Sequence, residues 1–180
     1  MAEYYEMQIA GLTRKLRLCP VNETLEIAAF IMFSDVEITV ATAKALLEKC
    51  PEFDMLLTAE TKGIPLAFEM ARQSGKSYVV ARKSVKLYMQ DVVSVAVKSI
   101  TTANEQVLYL DGENAGLLKD KKVLIIDDVI STGESLQAME YLVQKAGGKI
   151  AGKAAVLAEG DAADRSDIIY LEKLPLFFKD

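Results

Sequence analysis

The stretch Val123-Leu124-Ile125-Ile126-Asp127-Asp128-Val129-Ile130-Ser131-Thr132-Gly133-Glu134-Ser135 decides how this chain is read. Its aliphatic opening has no polar alternation, which predicts a strand buried on both faces, as in the middle of a parallel sheet. Two carboxylates close that strand. A hydroxyl-rich turn follows, and then Leu136, Met139, Leu142 and Val143 recur at helical spacing.

That order carries chemistry. Ligands of open α/β sheets sit outside the carboxyl ends of strands, and a helix N-terminus offers unpaired N–H groups and the positive end of a dipole to an anion. Gly133 lets a phosphate approach the backbone, and Ser131, Thr132 and Ser135 add hydroxyl donors. Asp127 and Asp128 are acceptors only, suited to sugar hydroxyls or to a divalent cation. A ribose 5-phosphate would satisfy both halves. A strand ending in two acids is common in unrelated α/β proteins, so the specificity lies in the whole stretch. No Gly-Lys-Ser/Thr follows, so it is not a Walker phosphate loop.

Working outward, 180 residues at 51% hydrophobic suit one well-buried domain better than two. A net charge of −5 argues against a nucleic-acid or anionic-membrane surface, so any anion site needs a local cluster of cations. The absence of His removes the commonest general base and metal ligand. Cys19 and Cys50 form no CxxC and read as two free thiols in a reducing compartment. The start Met1-Ala2-Glu3 is no basic leader, and apolar runs such as Ile27 to Phe33 are too short to span a bilayer. A cytoplasmic protein with no membrane partner is expected.

Taken in order, Tyr5, Met7 and Ile9, then Leu12, Leu16 and Leu18, alternate about Ala10-Gly11 and predict a hairpin. Leu25 to Phe33 reads equally as strand or buried helix. Asp35 predicts an N-cap for a helix to Cys50, stopped by Pro51. Met55 to Thr58 is a strand, Pro65 opens a helix that runs to Ser74-Gly75, and Ser77 to Ala81 is the next strand. The loop Ala59-Glu60-Thr61-Lys62-Gly63 follows the first of these strands, and Arg82-Lys83-Ser84-Val85-Lys86 follows the second. Such a charge run is usually a solvated loop. Here it lies at the sheet edge expected to hold the phosphate turn, which makes Lys62, Arg82, Lys83 and Lys86 candidate cations for an anionic ligand. Residues 87–110 are β-rich around Thr101-Thr102-Ala103-Asn104, and Asp111 to Lys122 reads as a polar connection. Gly147-Gly148 ends the helix after the acidic strand, and Ile150 to Ala158 is a further strand. Glu159 to Arg165 reads as an acidic turn at the same edge. Ile168 to Leu171 is a short strand, and Leu174 to Phe178 an apolar tail.

The opening stretch resembles the 5-phosphoribosyl-1-pyrophosphate (PRPP) motif of the type I phosphoribosyltransferases. Glu60-Thr61-Lys62-Gly63 is similar to the Glu-Ala-Arg-Gly pyrophosphate loop of the adenine enzymes, and Arg82-Lys83 with Lys86-Leu87 to their Arg-Lys-x-x-Lys-Leu segment. The resemblance implies one domain of that α/β fold over residues 1–180. It would have a central, mostly parallel sheet flanked by helices, a small N-terminal hood within about residues 1–50, and a β flap at about residues 87–110.

It further implies that the phosphoribosyl group passes from PRPP to a purine, releasing pyrophosphate. Asp127 and Asp128 would be catalytic and hold Mg2+, while Ser131, Thr132, Gly133, Glu134 and Ser135 bind the 5-phosphate. Glu60, Thr61, Lys62, Gly63, Arg82, Lys83 and Lys86 would bind pyrophosphate, and Val129 would lie against the base. A homodimer is usual in that family.

The position before Thr132-Gly133 is Ser131, where hypoxanthine-guanine enzymes usually carry Asp, and this favours adenine. Lys98-Ser99-Ile100-Thr101-Thr102 instead resembles the xanthine branch. Ala59 to Leu66 and Ala158 to Asp161 also resemble the effector domain of a purine-operon repressor, a PRPP sensor without catalysis. The readings are therefore an adenine enzyme first, with a xanthine or hypoxanthine enzyme or a PRPP sensor as alternatives.

Overall fold

Met7 and Ile9 are buried on β1 (Tyr4–Ile9) while Glu6 and Gln8 are exposed, and β2 (Leu12–Pro20) pairs with it antiparallel. The chain reverses at Ala10 and Gly11, with φ of 50° and 80°, the signs a two-residue I′ turn requires. The structure is a computed structural model that describes residues 3–98 and 105–179. The turn expected at 101–104 and the Ser99 to Thr102 likeness lie outside those residues.

The open run at Leu25 resolves into β3 (Leu25–Ala29), after which Phe30 and Met32 are buried in the loop that precedes α1 (Val36–Lys49). Asp35 caps α1 by accepting the Ile38 N–H at 3.1 Å, and Arg14 of β2 holds the same carboxylate at 2.7 Å. Then come β4 (Met55–Ala59), α2 (Ile64–Ser74), β5 (Ser77–Ala81), β6 (Val93–Lys98), β7 (Glu105–Leu110) and α3 (Gly112–Leu118). The chain continues through β8 (Lys122–Ile130), α4 (Glu134–Lys145), β9 (Lys149–Glu159), a 3-10 turn (Gly160–Asp164), β10 (Ile169–Leu174) and β11 (Leu176–Phe178).

Two readings are corrected here. The supposed polar connection contains α3, capped by Asp111, because Ala115 and Leu118 fall on one side and bury. The apolar tail is β11, antiparallel to β3, so the hood sheet runs β1-β2-β3-β11 and draws on both ends of the described chain.

The central sheet has the order β10-β9-β8-β4-β5, and every pairing in it is parallel. Side chains alternate across β8: Val123 and Ile125 join a core with α3, α4 and the β6-β7 hairpin, while Leu124 and Ile126 join one with α1, α2 and the hood. Burial on both faces explains why the strand shows no polar alternation. Among the described residues no helix is long and apolar enough to cross a membrane.

Strand order also fixes where a ligand can enter. From β4 the chain passes through α2 to β5 on one side, and from β8 through α4 to β9 on the other. The adjacent C-terminal ends of β4 and β8 thus form the topological switch point, where the two exit loops part and leave a crevice.

Candidate active site

Both acids lie on that crevice. Asp127 and Asp128 are 7% and 4% exposed, on the last part of β8, which continues through them to Ile130. The loop leaving β4 closes over them. Thr61 Oγ1 donates to Asp127 Oδ1 at 3.1 Å and accepts the Gly63 N–H at 3.1 Å, and the Asp128 N–H donates to the same Asp127 oxygen at 2.9 Å. Lys62 Nζ lies 2.9 Å from Asp128 Oδ2. That oxygen accepts no directed hydrogen bond among the described residues, so the contact is ionic.

Gly63 makes this closure possible. A Cβ there would sit 2.9 Å from Thr58 Oγ1 and 3.0 Å from Asp127 Oδ1, closer than carbon and oxygen tolerate. Burial first, and then the Asp128 charge, push the Asp127 carboxyl up to about 7, since two adjacent buried acids resist ionising together. No cluster of three or more metal-ligating side chains occurs among the described residues. The pair suits a hard cation only if a ligand supplies further oxygens, and Asp128 Oδ2, held among the described residues by the Lys62 charge alone, is the natural first contact for one.

The turn after β8 forms the second half. Gly133 is in the left-handed region with φ 83° and caps α4, whose first residue is Glu134. Asp127, Val129 and residues 131–135 line a cavity of about 60 Å³ at this helix N-terminus, within the size range of a single phosphate group.

Cations gather at the end of β5, and Glu60 organises them. Its carboxylate accepts the Lys83 N–H at 3.0 Å and lies 3.4 Å from Arg82 Nη2 and 3.7 Å from Lys86 Nζ. The Lys83 N–H, followed by those charges, holds Glu60 below the usual carboxylate range. Arg82 Nε is buried and lacks a hydrogen-bond partner among the described residues. Glu60 thus braces the cationic loop and presents no donor of its own. Lys62 stands apart from this cluster, with its charge against Asp128.

The phosphoribosyl transferase domain model matches residues 37–174, which span both halves of this site. The chain belongs to that family. Among related phosphoribosyl transferases, a hypoxanthine/guanine phosphoribosyltransferase of Methanothermococcus okinawensis is 32% identical over 158 residues, covering 83% of this chain and 82% of its own. An adenine phosphoribosyltransferase of Rhodococcus jostii is 32% identical over 126 residues, covering 70% and 69%. An adenine phosphoribosyltransferase from Thermoanaerobacter pseudethanolicus shares the fold with a TM-score of 0.74 at 21% identity, over 88% of this chain and 95% of that one.

Sequence reasoning missed one wall of this phosphoribosyl transferase site. A larger cavity of about 600 Å³ opens beside Ser131 and Thr132, with apolar Val21, Leu25, Ile27 and Leu176 from the hood and Glu159 and Arg165 from the 3-10 segment. Burial pushes the Glu159 carboxyl above its usual range. A usable signal was present: residues 159–165 hold a lone cation in an otherwise acidic turn at the ligand-bearing edge.

Proposed function

We propose that this chain is a purine phosphoribosyltransferase that moves the 5-phosphoribosyl group of PRPP onto a purine nitrogen, adenine foremost, and releases pyrophosphate. The observation that carries the reading is the crevice between β4 and β8. It sets two buried carboxylates, a phosphate-sized cradle and a cationic loop around one sheet edge. The 5-phosphate fits the N–H groups and hydroxyls of Ser131, Thr132, Gly133, Glu134 and Ser135, and the ribose diol fits Asp127 and Asp128. Positive charge grows on the sugar as its bond to pyrophosphate breaks, and the two carboxylates, held at the end of β8, stabilise it.

The pyrophosphate end falls to Lys62, Arg82, Lys83 and Lys86, with the backbone of Thr61 and Gly63. The unpartnered Arg82 Nε is a donor suited to an anionic oxygen. Glu60 acts there by holding the loop. Asp127 and Asp128 would hold Mg2+ together with substrate oxygens, and when bound the ion would neutralise charge on the diphosphate. Lys62 must then leave Asp128, which transfers its charge towards the leaving group.

The base fits the larger cavity against the hood, near Val129. Glu159 provides an acceptor for an exocyclic amine, which adenine and guanine carry and hypoxanthine and xanthine lack. A 6-oxopurine reading is favoured by the Methanothermococcus relative. The enzyme is read as a cytoplasmic homodimer with no nucleic-acid partner, and the unpaired Cys19 and Cys50 suit a reducing compartment.

The test supplies adenine, guanine, hypoxanthine and xanthine separately with PRPP and Mg2+ and follows nucleoside monophosphate formation. Adenine should give the highest kcat/KM. Turnover highest on a 6-oxopurine transfers the reading to that class, and PRPP binding without turnover on any base replaces the enzyme with a sensor.

A further inference from the structure

The phosphate turn has no cation of its own: residues 131–135 contain neither Lys nor Arg, and Glu134 adds a carboxylate. A 5-phosphate is a dianion, and helix N–H groups alone leave that charge only partly balanced. One guanidinium reaches the turn. Arg165, at the end of the 3-10 segment, sets its Nη1 so close to Gly133 that a Cβ there would lie 2.6 Å from it.

Its placement is fixed from behind. Arg165 Nε and Nη2 donate to Asp167 Oδ1 and Oδ2 at 2.9 and 2.8 Å, which consumes one edge of the fork and leaves Nη1 directed at the turn. Asp167 is itself held by Lys153 of β9, and Lys153 also pairs with Glu140 of α4. The brace therefore joins the strand after α4, the helix that carries the cradle and the 3-10 segment. Arg165 also lines the larger cavity with Ser131 and Thr132.

We infer that Arg165 is a positioning residue for the phosphate end: held by Asp167, its guanidinium clamps Gly133 and supplies the positive charge that the turn lacks. This rests on the phosphoribosyl transfer reading and deepens it. A purely mechanical brace would treat all ligands alike, whereas this one discriminates by the group bound at the turn.

The experiment measures binding of ribose 5-phosphate and of inorganic pyrophosphate, separately, by calorimetry with the full chain. Arg165→Gln should weaken ribose 5-phosphate about tenfold, the scale of one charge-assisted contact, and leave pyrophosphate within about twofold. Arg165→Lys, which keeps the charge, should recover part of the loss, and Asp167→Asn, which frees the guanidinium, should fall between wild type and Arg165→Gln. Equal weakening of both ligands, or no weakening of ribose 5-phosphate in any variant, overturns the inference. A wild-type chain that binds neither ligand overturns the phosphoribosyl transfer reading instead, so the two failures are separable.

Discussion

The two halves of the site are built in opposite ways. At the ends of β4 and β8 the carboxylates are buried and already tied to protein partners, Asp127 by Thr61 and Asp128 by Lys62. Around residues 131–135 a small cavity is left open, shaped by backbone at a helix start. The first half must exchange partners to accept a ligand, while the second presents a cavity of about 60 Å³ at the helix start. Affinity should therefore reside mainly in the open turn and reactivity in the closed crevice.

The strongest attempt to break this contrast removes the closed half. Asp127→Asn with Asp128→Asn should lower kcat on the order of 10³-fold or more, the scale of losing preorganised charge stabilisation. Unchanged turnover and unchanged PRPP binding would dismiss the assignment of both acids.

Next comes the glycine at the crevice. Gly63→Ala places a methyl against Thr58 and Asp127, so the loop must withdraw from the acids. Steady-state kinetics should register about a 30-fold drop in kcat/KM, equivalent to ~2 kcal/mol. A smaller effect than that of Gly133→Ala would reverse the ranking proposed for the two halves. The Gly133 variant strains a positive φ of 83° and meets Arg165, and it should act chiefly on KM for PRPP, by about tenfold.

Glu60→Gln sharpens the comparison more gently. It keeps the shape of the brace but removes the charge that gathers Arg82 and Lys86, so KM for PRPP should rise about threefold, as expected for a partly exposed network. A kcat effect with KM unchanged would assign Glu60 a role in the chemistry.

Protonation gives the smallest and most specific check. Because Asp127 is pushed up to about 7, the folded state binds a proton more tightly than the unfolded chain does. Its contribution to stability is therefore fully present below the unfolded value near 4 and is lost as pH rises through about 7. Asp127→Asn should gain melting temperature over wild type at pH 8 by a few degrees and much less at pH 5. A constant difference across that range would contradict a raised Asp127.

How much of this was legible follows physical lines. β4 and β8 announce themselves because strands buried on both faces carry runs of apolar residues, and the flanking Pro and Gly have local backbone causes. Asp127, Asp128 and the turn are equally local, all within one strand-to-helix junction. What escaped depends on distant partners. β11 is only Leu176–Phe178 and becomes a strand because β3 offers it an edge, and Phe177 packs on Tyr5 with ring centroids 5.1 Å apart. α3 is too short for its periodicity to stand out, and Ala115 and Leu118 acquire meaning only once the core they fill exists. Arg165 stands out in the sequence only as the lone cation of its turn, and its neighbour Gly133 lies in another loop, brought near by the pairing of β8 with β9.

The hood's fourth strand also sets a timetable for synthesis. Leu176 leaves the ribosome about 150 residues after Ala29, so β3 must wait with one side unpaired while the parallel sheet forms. Translation that stalls before Leu176 would release a chain with its nucleotide-side motifs made and the wall of its larger cavity unfinished. Such a fragment would expose the unpaired edge of β3 as a template for pairing with another chain.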